Sequence, residues 1–176
     1  MRTRKLLVAI TAGMLTIGIA LPASADTGIT PATITVLGGS LSITVPTSSV
    51  DLGSKANAVS GMTISGSLGQ IQVTDARSAA AGSGWVVSVI STAFTPPAGP
   101  AIAASAVSYN AGTITKVGTA TYTANNPGAL TGVVAAVTAS GITGDNSATW
   151  NPTISVAVPG GMAAGVYTAI ITHSVV

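Results

Sequence analysis

The chain has no cysteine and no glutamate, a single histidine, and only four acidic and six basic residues among 176. Without cysteine, a disulfide framework is excluded, and so is lipid attachment at a cleavage-site cysteine, so cohesion has to come from a hydrophobic core. Acid-base catalysis needs paired groups with separated pKa values, and four scattered aspartates with one histidine offer no such pair. A Ser-His-Asp site would have to use His173, and no Gly-x-Ser-x-Gly elbow exposes a nucleophile. His173 lies in phase with Ala169 and Ile171 on an expected terminal strand, which points to a structural role. Zinc would need several His or Cys ligands and calcium a cluster of carboxylates. Gly144-Asp145-Asn146-Ser147 is the one oxygen-rich candidate, and it reads as a turn. No catalytic residue, metal or cofactor is expected.

The N-terminus carries the charge that remains. Arg2, Arg4 and Lys5 precede an apolar run from Leu6 to Leu21, and Ala23-Ser24-Ala25 supplies a small-residue cleavage site, so residues 1–25 read as an export signal. The run is shorter than the ~18 to 20 residues of a membrane span and is interrupted by Thr11, Gly13, Thr16 and Gly18. Cleavage after Ala25 removes three of the six basic residues and leaves all four aspartates, turning the formal charge from +2 to −1. Nucleic acid and acidic membranes are therefore not expected partners, because Lys55, Arg77 and Lys116 form no basic patch. The C-terminal run Tyr167 to Val176 reads as a strand with no hydrophobic tail or basic stop. Retention at a surface would then be non-covalent, with no membrane span after cleavage.

Short alternations of apolar and hydroxyl residues fill the rest of the chain, which is the period of half-buried strands. Ile34 and Val36 alternate with threonines; Leu41, Ile43 and Val45 with serine and threonine; Ile71 and Val73 with glutamines and Thr74. Further strands are expected at Met62 to Ser65, Gly84 to Ser91, Thr113 to Lys116, Thr119 to Ala124, Gly132 to Thr138, Pro152 to Val158 and Val166 to His173. Gly/Pro clusters at 37–40, 95–100, 125–128 and 159–161 punctuate them as turns. Ala101 to Ala106 reads as a loop that could hold a short helical turn, with Val107-Ser108-Tyr109 after it favouring loop. The expectation is all-β: a single-domain antiparallel β-sandwich, Ig-like or related, over residues 26–176. Its solvent faces must be rich in Ser and Thr, and its edge strands have little charge to guard them against pairing with another chain.

Rare residue types gather between Thr74 and Val89. Asp75 and Arg77 stand one residue apart at a strand end, then a small-residue spacer leads to Gly84-Trp85-Val86-Val87-Ser88-Val89. On that strand Trp85, Val87 and Val89 share a face. The same period puts Trp150 in phase with Pro152, Ile154, Val156 and Val158. Each tryptophan therefore has two readings: a core filler among aliphatics, or an exposed flat platform for a sugar ring or a peptidoglycan stem. Asp75 and Arg77 have two as well: a pair that satisfies itself and holds the loop Ser78 to Ser83, or a polar contact beside the aromatic. The candidate binding residues are thus Trp85, Val87, Trp150, Asp75 and Arg77.

Val73-Thr74-Asp75-Ala76-Arg77, Gly84 to Val89, Trp150-Asn151-Pro152-Thr153-Ile154 and the closing Ala164 to Val175 together resemble the WxL domain proteins of Gram-positive bacteria. The resemblance spans nearly the whole exported chain. It implies an exported protein that is held non-covalently at the cell wall, with peptidoglycan or an associated glycan as ligand and other wall-associated surface proteins as partners; the missing catalytic groups add the expectation that it is not an enzyme. Two positions depart from the motifs: Val87 stands where the first has Leu, and Pro152 occupies the third position of the second. A Trp-x-Leu spacing puts both side chains on one strand face, so the motif can mark the fold as well as a binding site. The competing reading is a structural or adhesive surface protein that self-associates or binds partners through uncharged edge strands.

Overall fold

The computed structural model describes residues 27–78 and 80–176. The expected export signal, residues 1–25, lies outside them. The chain divides into two units, Met1–Thr35 and Val36–Val176. In the first, residues 27–35 have no regular secondary structure and expose their side chains. The alternation of Ile34 and Val36 therefore yields no strand, because it supplies two faces but no neighbouring strand to pair with.

The unit Val36–Val176 is all-β and antiparallel. Among the described residues its strands are β1 (Leu41–Thr44), β2 (Met62–Ser67), β3 (Ile71–Asp75), β4 (Ser83–Ser91), β5 (Val107–Asn110), β6 (Thr115–Ala124), β7 (Val134–Trp150), β8 (Thr153–Val158) and β9 (Ile171–Val175). A six-stranded sheet has the order β1-β3-β7-β4-β9 with β6 on β7, and a three-stranded sheet has the order β2-β8-β5. The two sheets enclose one core in a sandwich-like arrangement, with Ile71, Val73, Trp85, Val87, Val89, Ile142 and Trp150 entering from the large sheet and Val107, Tyr109, Ile154 and Val156 from the small one.

β7, 17 residues long, is the spine of the large sheet. One of its edges pairs with β6 from Thr149 back to Val137, and its other edge pairs first with β3 and then with β4. β3 and β4 are thus two halves of one row, separated by the excursion 76–82. The extra residues of β7 against its neighbours fall at Ala136, around Gly141 and at 144–146, where the ladder shifts register. Bulges of this kind bend a strand and tighten its twist. Gly144, at φ +71°, holds a left-handed conformation that a side chain would strain.

Several expectations shift accordingly. Gly144 to Ser147 is no turn but a bulge inside a continuous strand. The expected strands at 113–116 and 119–124 are one strand that runs through Gly118, and the strand expected from Val166 begins only at Ile171. Within the expected loop Ala101 to Ala106, residues 104–106 form a 3-10 turn, and Val107-Ser108-Tyr109 after it is the start of β5. Trp150 does not head the following strand. It ends β7 in the large sheet, and the chain crosses at Asn151-Pro152 into the small sheet, so Trp150 and Ile154 meet the core from opposite sides.

Candidate functional site

The excursion between β3 and β4 brings the two motif blocks together. Asp75, last residue of β3, points inward and is fully buried. Its Oδ1 accepts from the Arg77 backbone N–H at 3.1 Å and from Arg77 Nε at 2.8 Å, and its Oδ2 accepts from Arg77 Nη2 at 3.0 Å. The fork geometry of the guanidinium makes this a two-point pair. Arg77 Nη2 also donates to the Gly84 carbonyl at 3.2 Å, which ties the excursion to the start of β4. Gly84 itself has to be glycine, since a Cβ there would lie 2.7 Å from the Ala139 carbonyl oxygen.

Asn146 completes the cluster from the β7 bulge. Its Nδ2 donates to Asp75 Oδ2 at 3.2 Å, while its Oδ1 accepts from Trp85 Nε1 at 3.0 Å and from the Tyr122 hydroxyl at 3.3 Å. Trp85 and Tyr122 also meet ring to ring, tilted by 58° with centroids 5.7 Å apart. Next to Asn146, Asp145 turns the other way and accepts from the Ser78 N–H and hydroxyl at 2.9 and 3.2 Å. Hydrogen bonds from Arg77 hold the Asp75 carboxyl below its usual range against the opposing cost of burial. Burial pushes the Tyr122 hydroxyl up, and the Asp75 charge adds to that shift.

Asp75, Arg77 and Trp85 are therefore joined in one buried clasp, with Val87 beneath it as core. Trp150 belongs elsewhere: its Nε1 donates to the Tyr109 hydroxyl at 2.8 Å, bridging the two sheets. Both indoles are 2% exposed and Val87 is 0% exposed. None of the three presents a surface to a ligand in this conformation, which corrects their reading as candidate contact residues. Only Arg77, with its side chain 37% exposed, reaches solvent. The residue that sequence reading missed is Asn146. Its only signal was an amide among scarce polar groups, and the adjacent glycine and aspartate made it look like a turn.

The clasp has little chemistry to offer beyond cohesion, since its carboxylate, guanidinium and amide are spent on one another. Among the described residues no group of three or more His, Cys, Asp or Glu could hold a metal ion, and no helix is long and apolar enough to cross a membrane. Asp75→Ala is expected to remove about 2 to 3 kcal/mol, because it strips a charged acceptor from four donors, three of Arg77 and the buried Asn146 Nδ2. Urea unfolding of this variant beside Arg77→Ala checks it. The arginine variant should lose less, because its partner keeps the Asn146 and backbone bonds.

The surface above the clasp is different in kind. The outward side chains of the large sheet form cross-strand rows, Thr44, Gln72, Thr149 and Thr115 in one, and Ser42, Thr74, Ser147 and the exposed Val117 in the next. Neighbours within a row lie on strands about 4.8 Å apart, and rows repeat about every 7 Å along a strand. Neither row contains a charged residue. Comparisons with protein-family models, with curated protein sequences and with solved structures each found no match.

Proposed function

We propose that the protein is an exported surface module that binds the bacterial cell wall non-covalently, taking a neutral wall glycan such as the sugar chains of peptidoglycan on the outer face of its large sheet. Binding, without catalysis, is its activity. The observation that carries this reading is the division of labour in the large sheet: the motif tryptophans are buried under the inner face, and the outer face is an ordered, uncharged array of hydroxyl and amide groups with Val117 as its one apolar member in these rows. Hydroxyls both donate and accept, so a flat array of them complements a polymer of hydroxyls without the desolvation cost of charge. The resemblance to WxL domain proteins supports wall attachment, and the burial of Trp85 and Trp150 supports a part for the motif tryptophans in the core. The N-terminal run of residues 2–25 supports export.

Thr74→Val with Thr149→Val tests the face. Both threonines lie on its rows, and valine keeps the β-branched shape while removing the hydroxyl. Loss of hydrogen bonds worth about 0.5 to 1.5 kcal/mol each is expected to weaken sedimentation with purified walls about tenfold, with the thermal midpoint unchanged. Undiminished wall binding by the folded double variant would remove the face from the account.

A further inference from the structure

The outer edge of β6 is open. Among the described residues, its backbone pairs with β7 and makes no other backbone hydrogen bond. At ten residues it is a long edge strand, it contains no proline, and its only charge is Lys116 near one end. Natural edges are usually short, charged or covered, because a free row of N–H and C=O groups is a template for another strand. Of the other edges, β1 and β9 are short, at four and five residues, β5 is capped by Pro127, whose carbonyl accepts from Tyr109 N–H at 2.9 Å, and β2 is crossed by the 50–55 segment, with Lys55 Nζ donating to the Thr63 carbonyl at 2.6 Å.

We infer that β6 is a self-pairing edge, which joins two copies of this chain antiparallel about a two-fold axis at Thr121 and makes one continuous sheet of their large sheets. The strand's own pattern selects this occupant and this register. In an antiparallel pair, facing residues lie on the same side of the sheet, so a two-fold must fall at a residue. At Thr121 it sets Thr121 against itself and Thr119 against Thr123 on the outer side, all threonines that are exposed in the single chain. On the inner side it sets Ala120 against Tyr122, a small residue opposite a large one, where a two-fold at Tyr122 would force two rings together. Both inner residues are only partly buried in the single chain and pack against its core, so pairing extends an apolar strip that is already begun. Lys116 falls beyond the paired stretch in both copies and meets no like charge. A different acidic or basic partner strand would gain nothing from an edge this neutral.

Because the chain has no cysteine, one introduced thiol reports proximity without interference. Cβ atoms facing each other across an antiparallel pair lie about 4.5 to 5.5 Å apart, close enough for a disulfide after small adjustment. Sedimentation equilibrium of the purified protein is expected to give twice the chain mass as concentration rises. Thr121→Cys is expected to form a covalent dimer under mild oxidation, while Thr172→Cys, on the opposite edge strand β9, does not. Thr121→Lys, at an exposed position, is expected to restore the monomer with an unchanged melting temperature. A monomer at every concentration, a dimer that survives Thr121→Lys in a folded protein, or equal cross-linking at 121 and 172 would each overturn the inference. Wall binding is read separately by co-sedimentation with walls, so a wall-binding monomer would defeat the pairing and leave the glycan reading standing.

Discussion

Trp85→Ala is expected to destabilise the fold by about 3 to 5 kcal/mol, the cost of truncating a fully packed aromatic. The indole fills the core between Val87 and Tyr122, and its N–H is held by Asn146. Truncation opens a cavity under the β7 bulge and leaves the Asn146 carbonyl oxygen with only the Tyr122 hydroxyl as partner from this pocket. The loss should therefore spread to the Asp75 and Arg77 clasp, which shares Asn146. For a unit of this size such a change lowers the melting temperature by roughly 6 to 20 °C. Urea unfolding by circular dichroism measures it. Trp85→Phe, which keeps the ring contact and loses the N–H bond, is expected to cost distinctly less. A normally stable Trp85→Ala protein would mean the indole is not part of the core.

The second large effect is on pH. His173 faces inward from β9, with its ring 5.6 Å from the Tyr109 ring and Nε2 buried without a hydrogen-bond partner. Burial pushes its pKa from 6.5 down to about 4. Above pH 6.5 the imidazole is neutral in both folded and unfolded chains and costs nothing. Below it the unfolded chain takes the proton first, so stability falls as pH drops, and the fall ends once the folded chain is protonated near pH 4. At about 1.4 kcal/mol per pH unit, the loss over that interval is about 3 kcal/mol. Asp75 acts in a separate window with the opposite kind of shift. Its folded pKa is lowered, so its contribution is intact above its unfolded value of 3.8 and is lost as pH falls below that. His173→Phe is expected to flatten the stability profile between pH 6.5 and 4 and to leave the steeper acid limb in place. A profile that already lacks the first fall in the parent protein would contradict the burial of His173.

Tyr109 gives the same buried environment a basic counterpart. Its hydroxyl is pushed up to about 12, with burial as the main cause and the Trp150 N–H bond acting against it. The two groups mark one seam between the sheets, where β5 meets β9 and the end of β7. Trp150 and Tyr109 satisfy each other there, while His173 Nε2 has no partner among the described residues.

The all-β character was legible because alternation is a local property. Ile71 to Asp75, Ser83 to Ser91 and Thr153 to Val158 bury alternate side chains, and Leu41 to Thr44 half-buries them. The burial of Trp85 was legible for the same reason, through its phase with Val87 and Val89. What stayed hidden depends on partners far away in sequence. β7 could not be seen whole because its bulges at Ala136, Gly141 and Gly144 break the period that a strand is recognised by. Asn146 could not be singled out because its value lies in meeting Asp75, 71 residues away, and Trp85, 61 residues away. The alternation at Ile34 and Val36 misled in the other direction, since period two describes two faces and says nothing of a pairing neighbour.

On the function proposed above, the tryptophans of the motif build the fold and wall contact is made on the opposite face of the same sheet. Tryptophan emission of the folded protein, recorded with acrylamide quenching before and after adding enough purified wall to sediment it, tests this most directly. The account predicts blue-shifted, poorly quenched emission that stays unchanged in the wall-bound protein. Red-shifted and readily quenched emission, or a shift when wall is added, would put an indole at the binding surface and contradict it.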